Sequence, residues 1–504
     1  MKQANRFDAL DALRGFAILT MVLSGVIPYR VLPDWMYHAQ VPPPNHIYSP
    51  DLPGLTWVDL VFPMFLFALG AAIPIAMHKR ILHGESISAL IIKILERGFL
   101  LGFFAIFLRH VRPHVLHPHP SPLHWMIALL GFFLMFLIFM RLPKEWKSYQ
   151  KLIIRAVGWI GAISLLSLIT YIDGSGFSLY RSDIIIIVLT NMAVAGSLIW
   201  LCTRNHLLIR LGLLGILLAF RLSHTVPGWT QLIWNATPIP WLYQFYYLQY
   251  LFIVLPGTII GDLINNALHP EKIAVDLPAT RIIDLENYMN VYGKQMEVFE
   301  HETYAKKPEP HANSWSRLHY CSIIAFILLL LGGILFGLQE RYVVQATIYA
   351  LLCCCLLFAL IRYPNNQTEE LIKKLYSWAV FWLVLGLIFE PYEGGIKKDH
   401  PTLSYYFVTT GLSIFLLMAF HIISSGRKKF KGLQLLVDNG KNPMIAYVGF
   451  ANFIWPILAL TGLEDFILAW TQHPWIGFIR GVIYTLLVAL LVRVFSRNHI
   501  FWRT

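Results

Sequence analysis

What most constrains this chain is the recurrence of long apolar blocks. About 20 consecutive apolar residues in a helix, each rising about 1.5 Å, cover the hydrocarbon core of a bilayer. Fourteen stretches approach that length: 12–31, 57–77, 88–108, 124–141, 151–171, 183–202, 206–220, 241–267, 317–337, 342–362, 371–390, 403–424, 443–460 and 476–496. In lipid every backbone amide must be satisfied within the protein, so such blocks have to be helical. The expected fold class is an all-α polytopic membrane protein with 11–14 transmembrane helices. The stretch 206–220 is short, and if it were re-entrant the topology after it would invert. Composition agrees: hydrophobic residues make up 57% and charged residues 13%, whereas soluble domains carry roughly a quarter charged residues.

The net charge of +12 reads as topogenic and lipid-facing rather than nucleic-acid-binding, because no basic face is clustered and no nucleic-acid partner is implied. With the N-terminus inside, Lys79-Arg80, Arg141, Lys144, Lys147, Lys151, Lys373-Lys374, Arg427 to Lys429, Lys431 and Arg503 fall in cytoplasmic loops. The opposite loops hold mainly Arg30, Arg109, Arg112, Arg181, Arg221, Arg341 and Lys397-Lys398. That asymmetry predicts cytoplasmic N- and C-termini in an inner (cytoplasmic) membrane. The first apolar block lacks a small-residue cleavage site and is expected to persist as a helix. Cys202, Cys321 and Cys353 to Cys355 lie in apolar segments without CxxC spacing and read as packing residues. The charged segment 268–316, with a helical pattern near Ile282–Glu302, reads as a cytoplasmic insertion between an N-terminal bundle (1–267) and a C-terminal bundle (317–504).

The chemistry-bearing residues concentrate around the first two blocks. Asp11 and Arg14 open the first block; they read either as a helix cap with an interfacial anchor or as contacts for an anionic ligand. The loop that follows carries Trp35, Tyr37, His38 and His46 among prolines, a composition suited to a shaped pocket for a sugar-like ligand. Asp59 begins the second block just after Trp57, as a helix cap or as the carboxylate partner of a nearby histidine. An imidazole there can take and return a proton at neutral pH. His110, His114, His117, His119 and His124 form a second group. Without accompanying Cys or Glu, it reads as a polar loop, and no metal is expected. Asp173, Arg181, Asp183, Asn191 and Glu390 either line a polar cavity or pair with one another.

Several blocks taken together resemble the heparan-α-glucosaminide N-acetyltransferase family of transmembrane acetyltransferases, particularly its bacterial members. They are Leu10-Asp11-Ala12-Leu13-Arg14-Gly15, Tyr37-His38-Ala39 and Gly54-Leu55-Thr56-Trp57-Val58-Asp59-Leu60-Val61-Phe62-Pro63, then His400-Pro401-Thr402-Leu403-Ser404-Tyr405, Asn442-Pro443-Met444-Ile445-Ala446-Tyr447-Val448-Gly449 and Ile500-Phe501-Trp502-Arg503. The resemblance implies that an acetyl group moves from cytoplasmic acetyl-CoA, a co-substrate, to the amine of a glucosamine-type sugar across the membrane. The family's loop histidine falls on His38 by context. An insertion of about eleven residues leaves His46 nearer the family's spacing. Ser24-Gly25 stands where the family often has an asparagine, and the 268–316 segment is atypical of it.

The expected roles follow from that resemblance. His38, Asp59 and His46 are the catalytic candidates. Arg14 and Asp11 are candidates for the donor's phosphates, and Trp35, Tyr37 and Trp57 for the acceptor. Expected partners are the bilayer, an amino sugar or oligosaccharide, and a second copy of the chain. Two rivals stand beside this reading: a sugar or oligosaccharide transporter without transferase activity, and acylation of an envelope-polysaccharide hydroxyl.

Overall fold

A computed structural model describes residues 7–28, 32–143, 145–269, 314–426 and 430–504. The helical stretch expected near Ile282–Glu302, and Arg30, Lys144 and 427–429, lie outside the described residues. Among the described residues every regular element is helical, apart from the isolated bridges Met140–Trp502 and Ile239–Tyr243.

The first half of the chain contributes α1 (Asp8–Val26), α2 (Trp57–Leu82), α3 (Ile87–His110), α4 (Pro122–Phe139), α5 (Ser148–Leu168), α6 (Ile184–Thr203), α7 (Leu207–Ser223) and α8 (Leu251–Leu268). The second half contributes α9 (Arg317–Gln339), α10 (Val343–Ile361), α11 (Gln367–Ile388), α12 (Leu403–Ser425), a short α13 (Lys431–Gly440), α14 (Pro443–Leu460), a short α15 (Leu463–Trp470) and α16 (Pro474–Arg497). Twelve helices among the described residues are long and apolar enough to cross a membrane. The chain is therefore an all-α multi-pass membrane protein. Neither α3 nor α7 is among the twelve. α7 has only 17 residues, and α3 carries Lys93, Glu96, Arg97 and Arg109 along its 24.

The direction of α8 bears on the path of α7. Added side chains at Gly257 would strike Phe67 and Ala71, and at Gly261 would strike Ala71 and Pro74, so α8 runs parallel to α2. α3 packs antiparallel along α6, with Gly98 against Val194 and the Asp183 amide donating to the Ala105 carbonyl at 3.0 Å. With α3 to α6 all crossing, α8 can run parallel to α2 only if α7 crosses too. The direction of α8 is thus the one expected when 206–220 spans.

Glycines at the crossings explain the tight packing, because a missing Cβ lets two backbones meet. A Cβ on Gly440 would sit 1.8 Å from the Asp11 carbonyl oxygen, and one on Gly15 would sit 1.9 Å from that of Leu436. Short α13 is thereby pressed onto the first turns of α1. We expect Gly440→Ala to destabilise the fold by about 1–3 kcal/mol through overpacking. A fall in thermal midpoint in detergent would show it, with Gly332→Ala, whose added Cβ meets nothing within 4 Å, as the unaffected control.

α12 is the axis of the bundle. Of its 23 residues 20 are buried, and α1, α2, α8, α9 and α11 pack around it. It is also polar within: Ser404, Tyr405, Tyr406, Thr409, Thr410, Ser413 and His421 are all buried. Thr409, Thr410 and Ser413 donate to carbonyls of the preceding turn. Ser404 Oγ, Tyr406 Oη and His421 Nε2 are buried without a hydrogen-bond partner.

Candidate functional site

The motif blocks of the sequence sort onto two opposite faces of the bundle. At one face α2 begins with a capping box: Thr56 and Asp59 bond reciprocally across the first turn. A carboxylate three residues into a helix is favoured by the free amides and by the macrodipole. Asp59 is 1% exposed, and its carboxylate is fully used. It accepts from the Thr56 amide at 3.0 Å and the Ala39 amide at 3.2 Å, and it meets His38 Nδ1 at 2.8 Å. Its carbonyl accepts the buried Tyr405 hydroxyl at 2.9 Å. The His38 side chain is 36% exposed. The buried carboxylate thus favours the tautomer with its proton on Nδ1 and leaves Nε2 as the free base.

Lys398 completes the cluster, with Nζ 3.3 Å from His38 Nε2 and 3.1 Å from Nδ1. Its loop is held by backbone clamps. Gln40, 2% exposed, donates to the Asp399 carbonyl and accepts the Asp399 amide at 2.8 Å. The Gly54 amide donates to the Ile396 carbonyl at 2.9 Å. Further back, Arg221 pairs with Glu393 at 2.6 Å and donates to the Pro401 carbonyl at 2.9 Å, and Arg341 pairs with Glu390 at 2.7 Å. A base whose orientation is fixed by a buried carboxylate, next to a cation, can move a proton and stabilise negative charge within one hydrogen-bond radius.

The other sequence candidates at this face separate from that cluster. His46 packs edge-on against the Tyr37 ring at 4.5 Å, so it is His38 that reaches Asp59. The Tyr37 hydroxyl is spent inside its own loop, donating to the Pro28 carbonyl at 2.6 Å. Trp35 is exposed and Trp57 half-buried. Glu390 pairs with Arg341, and Asp183 pairs with Arg112 at 3.0 Å and accepts the Tyr447 hydroxyl at 3.0 Å. Asn191 donates to the carbonyls of Ile187 and Leu242.

No group of three or more metal-ligating side chains occurs among the described residues. His110 Nδ1 lies 2.8 Å from the Ile106 carbonyl and Nε2 accepts the Ser178 amide. His124 is engaged by Ser121.

The opposite face gathers the remaining blocks. Arg14 donates to Asp11 at 3.2 Å and to the Gly440 carbonyl at 3.2 Å. Asn442 donates to the Ile500 carbonyl at 2.8 Å and accepts the Trp502 amide at 3.1 Å, which seats the buried Trp502 ring among Phe132, Phe136 and Phe139. Three arginines converge here. Arg97 of α3 makes no hydrogen bond or ion pair among the described residues and lies within the fields of Arg14 and Arg80. Close by in the fold, the buried Asp438 carboxylate is shared by Lys441, Arg493 and Arg497 at 3.7–3.9 Å. This face therefore carries cations in excess of their carboxylates, as an anion-binding surface requires.

Sequence reasoning missed Lys398, Gln40, Arg97 and the polar stripe of α12. The stripe had a readable signal, a helical 3–4 spacing through Tyr406, Thr409/Thr410 and Ser413. The clamp between Gln40 and Asp399 had none, because it joins residues 359 positions apart.

A family model described as a domain of unknown function (DUF5009) matches residues 6–264, slightly more than half of the chain. That stretch includes Arg14, His38, Asp59 and Arg97 and stops short of Lys398 and α12. No curated protein matches the chain.

Proposed function

The chain belongs to the DUF5009 family, and we propose that it is a transmembrane acyltransferase carrying an acetyl group from acetyl-CoA on the Arg14 face to an amino-sugar acceptor on the His38 face. The observation that carries this reading is the His38–Asp59 pair beneath Lys398. Three further features support it. The Arg14, Arg80 and Arg97 cluster offers cations to the donor's phosphates on the opposite face. The buried polar stripe of α12 runs inward from the His38 face as far as Ser413. The acceptor side of the reading leans on the resemblance to the heparan-α-glucosaminide N-acetyltransferase family.

Chemically, the acceptor amine attacks the thioester carbonyl while His38 Nε2 takes the amine proton. The carbon–sulfur bond breaks, and the thiolate leaves and is protonated. Asp59 holds the imidazole and offsets its transient positive charge, and the Lys398 ammonium stabilises the oxyanion. Transient acetylation of His38 is the two-step form of the same transfer.

The Arg14 face is cytoplasmic in this reading. Lys79, Arg80, Lys151, Lys373, Lys374 and Arg503 lie at its helix ends, whereas Arg112, Arg221 and Arg341 of the His38 face are each neutralised by a carboxylate. In a bacterial cell that membrane is the inner one.

The test is vesicle reconstitution with labelled acetyl-CoA on one side and glucosamine on the other. Labelled N-acetylglucosamine should form only when the donor meets the Arg14 face. Absence of product, with no thermal stabilisation by acetyl-CoA but with uptake of the sugar, would replace this reading with a transporter.

A further inference from the structure

A cavity lies away from His38, between α3, α5 and α6. It measures about 960 Å³ and its walls are almost wholly apolar, a size at the upper end of small-molecule sites. Leu95, Gly98, Phe99, Gly102, Phe103 and Ile106 of α3 form one wall, and their 3–4 spacing makes them a single helix face. Ile163 and Leu166 of α5 face them. Leu95, Phe99 and Ile163 are exposed at its mouth. On crossing helices that exposure is to hydrocarbon, so the cavity is filled from the bilayer and not from water.

The end of the cavity nearest the His38 face is built. Phe177 and Leu179 close it from the loop between α5 and α6. That loop is pinned by the Ser178 amide on His110 Nε2 at 3.2 Å and by the Tyr171 amide on the Ser175 carbonyl at 2.9 Å. The same α3 face continues past Ile106 to Arg109, one turn further on. Arg109 makes no hydrogen bond or ion pair among the described residues, although its charge reaches Tyr171. Arg181 lies over the Tyr171 ring at 3.4 Å and donates from Nη2 to Ser175 Oγ at 3.1 Å, and its Nη1 is buried without an acceptor among the described residues. The carboxylate at hand is Asp173, 3.5 Å from Arg181, kept ionised by hydrogen bonds from Ser175. Arg112 is already committed to Asp183. Two guanidiniums against one exposed carboxylate leave the rim positive.

We propose that this cavity binds a membrane lipid with a phosphate headgroup, its hydrocarbon chain in the α3/α5/α6 groove and its phosphate on Arg109 and Arg181. An apolar slot open to lipid selects a chain, and arginine forks select phosphate over a neutral head. The inference is independent of acyl transfer at His38.

Native mass spectrometry of the full chain in detergent tests it, with dioleoyl phosphatidic acid, dioleoylglycerol and inorganic phosphate as probes. Phosphatidic acid should bind at least roughly tenfold more tightly than dioleoylglycerol, the scale of a charge-assisted arginine–phosphate contact, and inorganic phosphate should not compete. Arg109→Gln/Arg181→Gln should erase the preference while leaving dioleoylglycerol binding unchanged. Ile163→Trp, at the exposed mouth, should weaken both lipids. Should the double variant fail to fold, Arg109→Gln alone reads the same preference. Equal binding of the two lipids by the unaltered chain would overturn the proposal. So would a preference that survives the arginine changes, competition by inorganic phosphate, or lipid binding indifferent to Ile163→Trp.

Discussion

Replacing His38 by alanine is expected to lower acetyl transfer by roughly 10²–10⁴-fold, the usual contribution of a positioned general base, whereas His46→Ala should leave most of the activity. Both imidazoles sit in one loop, and their environments differ. His38 Nδ1 is 2.8 Å from a carboxylate that is 1% exposed. His46 packs edge-on against Tyr37. Asp59→Asn should lower kcat by orders of magnitude with KM little changed, because an amide offers no charge to the imidazolium and can stabilise the wrong tautomer. Lys398→Met should also act on kcat, through the lost cation. Measuring kcat and KM for all four variants in one detergent preparation, with thermal midpoints as folding controls, separates base, positioning group and bystander. Equal loss in His38→Ala and His46→Ala would remove the distinction on which the proposed mechanism stands.

How far the sequence alone carried depended on whether a feature is local. Helix positions were legible because the constraint is the bilayer: each of the fourteen apolar blocks overlaps a helix. Boundaries moved where local chemistry decides them. α1 begins at Asp8 rather than near residue 12, and α8 is preceded by a tighter turn over Phe245–Tyr250. Amphipathic α13 and α15, at 10 and 8 residues, are too short to register as spans. Asp59 was readable as a cap and as a histidine partner, and in the fold it does both at once, because its two oxygens serve different neighbours. Lys398 was visible only as a loop charge. What brings it over His38 is a chain of contacts across the interface between the two halves, Gln40 to Asp399 and Gly54 to Ile396, and no local pattern encodes such pairing. Trp502 and Asn442 illustrate the same point at the other face: two short blocks 60 residues apart acquire meaning only when one caps the other.

The largest effect on stability is expected at Arg210, a residue with no place in the chemistry. It lies on α7, a helix of 17 residues, and is 1% exposed. Its guanidinium is fully engaged. Nη1 reaches Asp262 at 2.6 Å and Thr258 at 3.2 Å, Nε reaches the Thr203 hydroxyl at 3.2 Å, and Nη2 reaches the Thr203 carbonyl at 3.3 Å. Asp262 in turn accepts from the Trp200 indole at 3.0 Å and faces His78 at 3.6 Å. One arginine thus fastens α7 to α6 and α8, and through His78 to α2, the helix that carries Asp59. Arg210→Ala deletes the charge and strands a carboxylate at a helix crossing, a change that typically costs about 3–5 kcal/mol; because the Asp262 side chain is 23% exposed, the lower end applies. Arg210→Met/Asp262→Leu should recover part of that loss, since an apolar pair of similar volume leaves no charge stranded, although the Trp200 indole loses its acceptor. Thermal midpoints of the three proteins in detergent decide it. If Arg210→Ala melts like the unaltered chain, the clamp does not hold α7. If the double variant melts as low as the single one, the loss comes from packing and not from the unpaired charge.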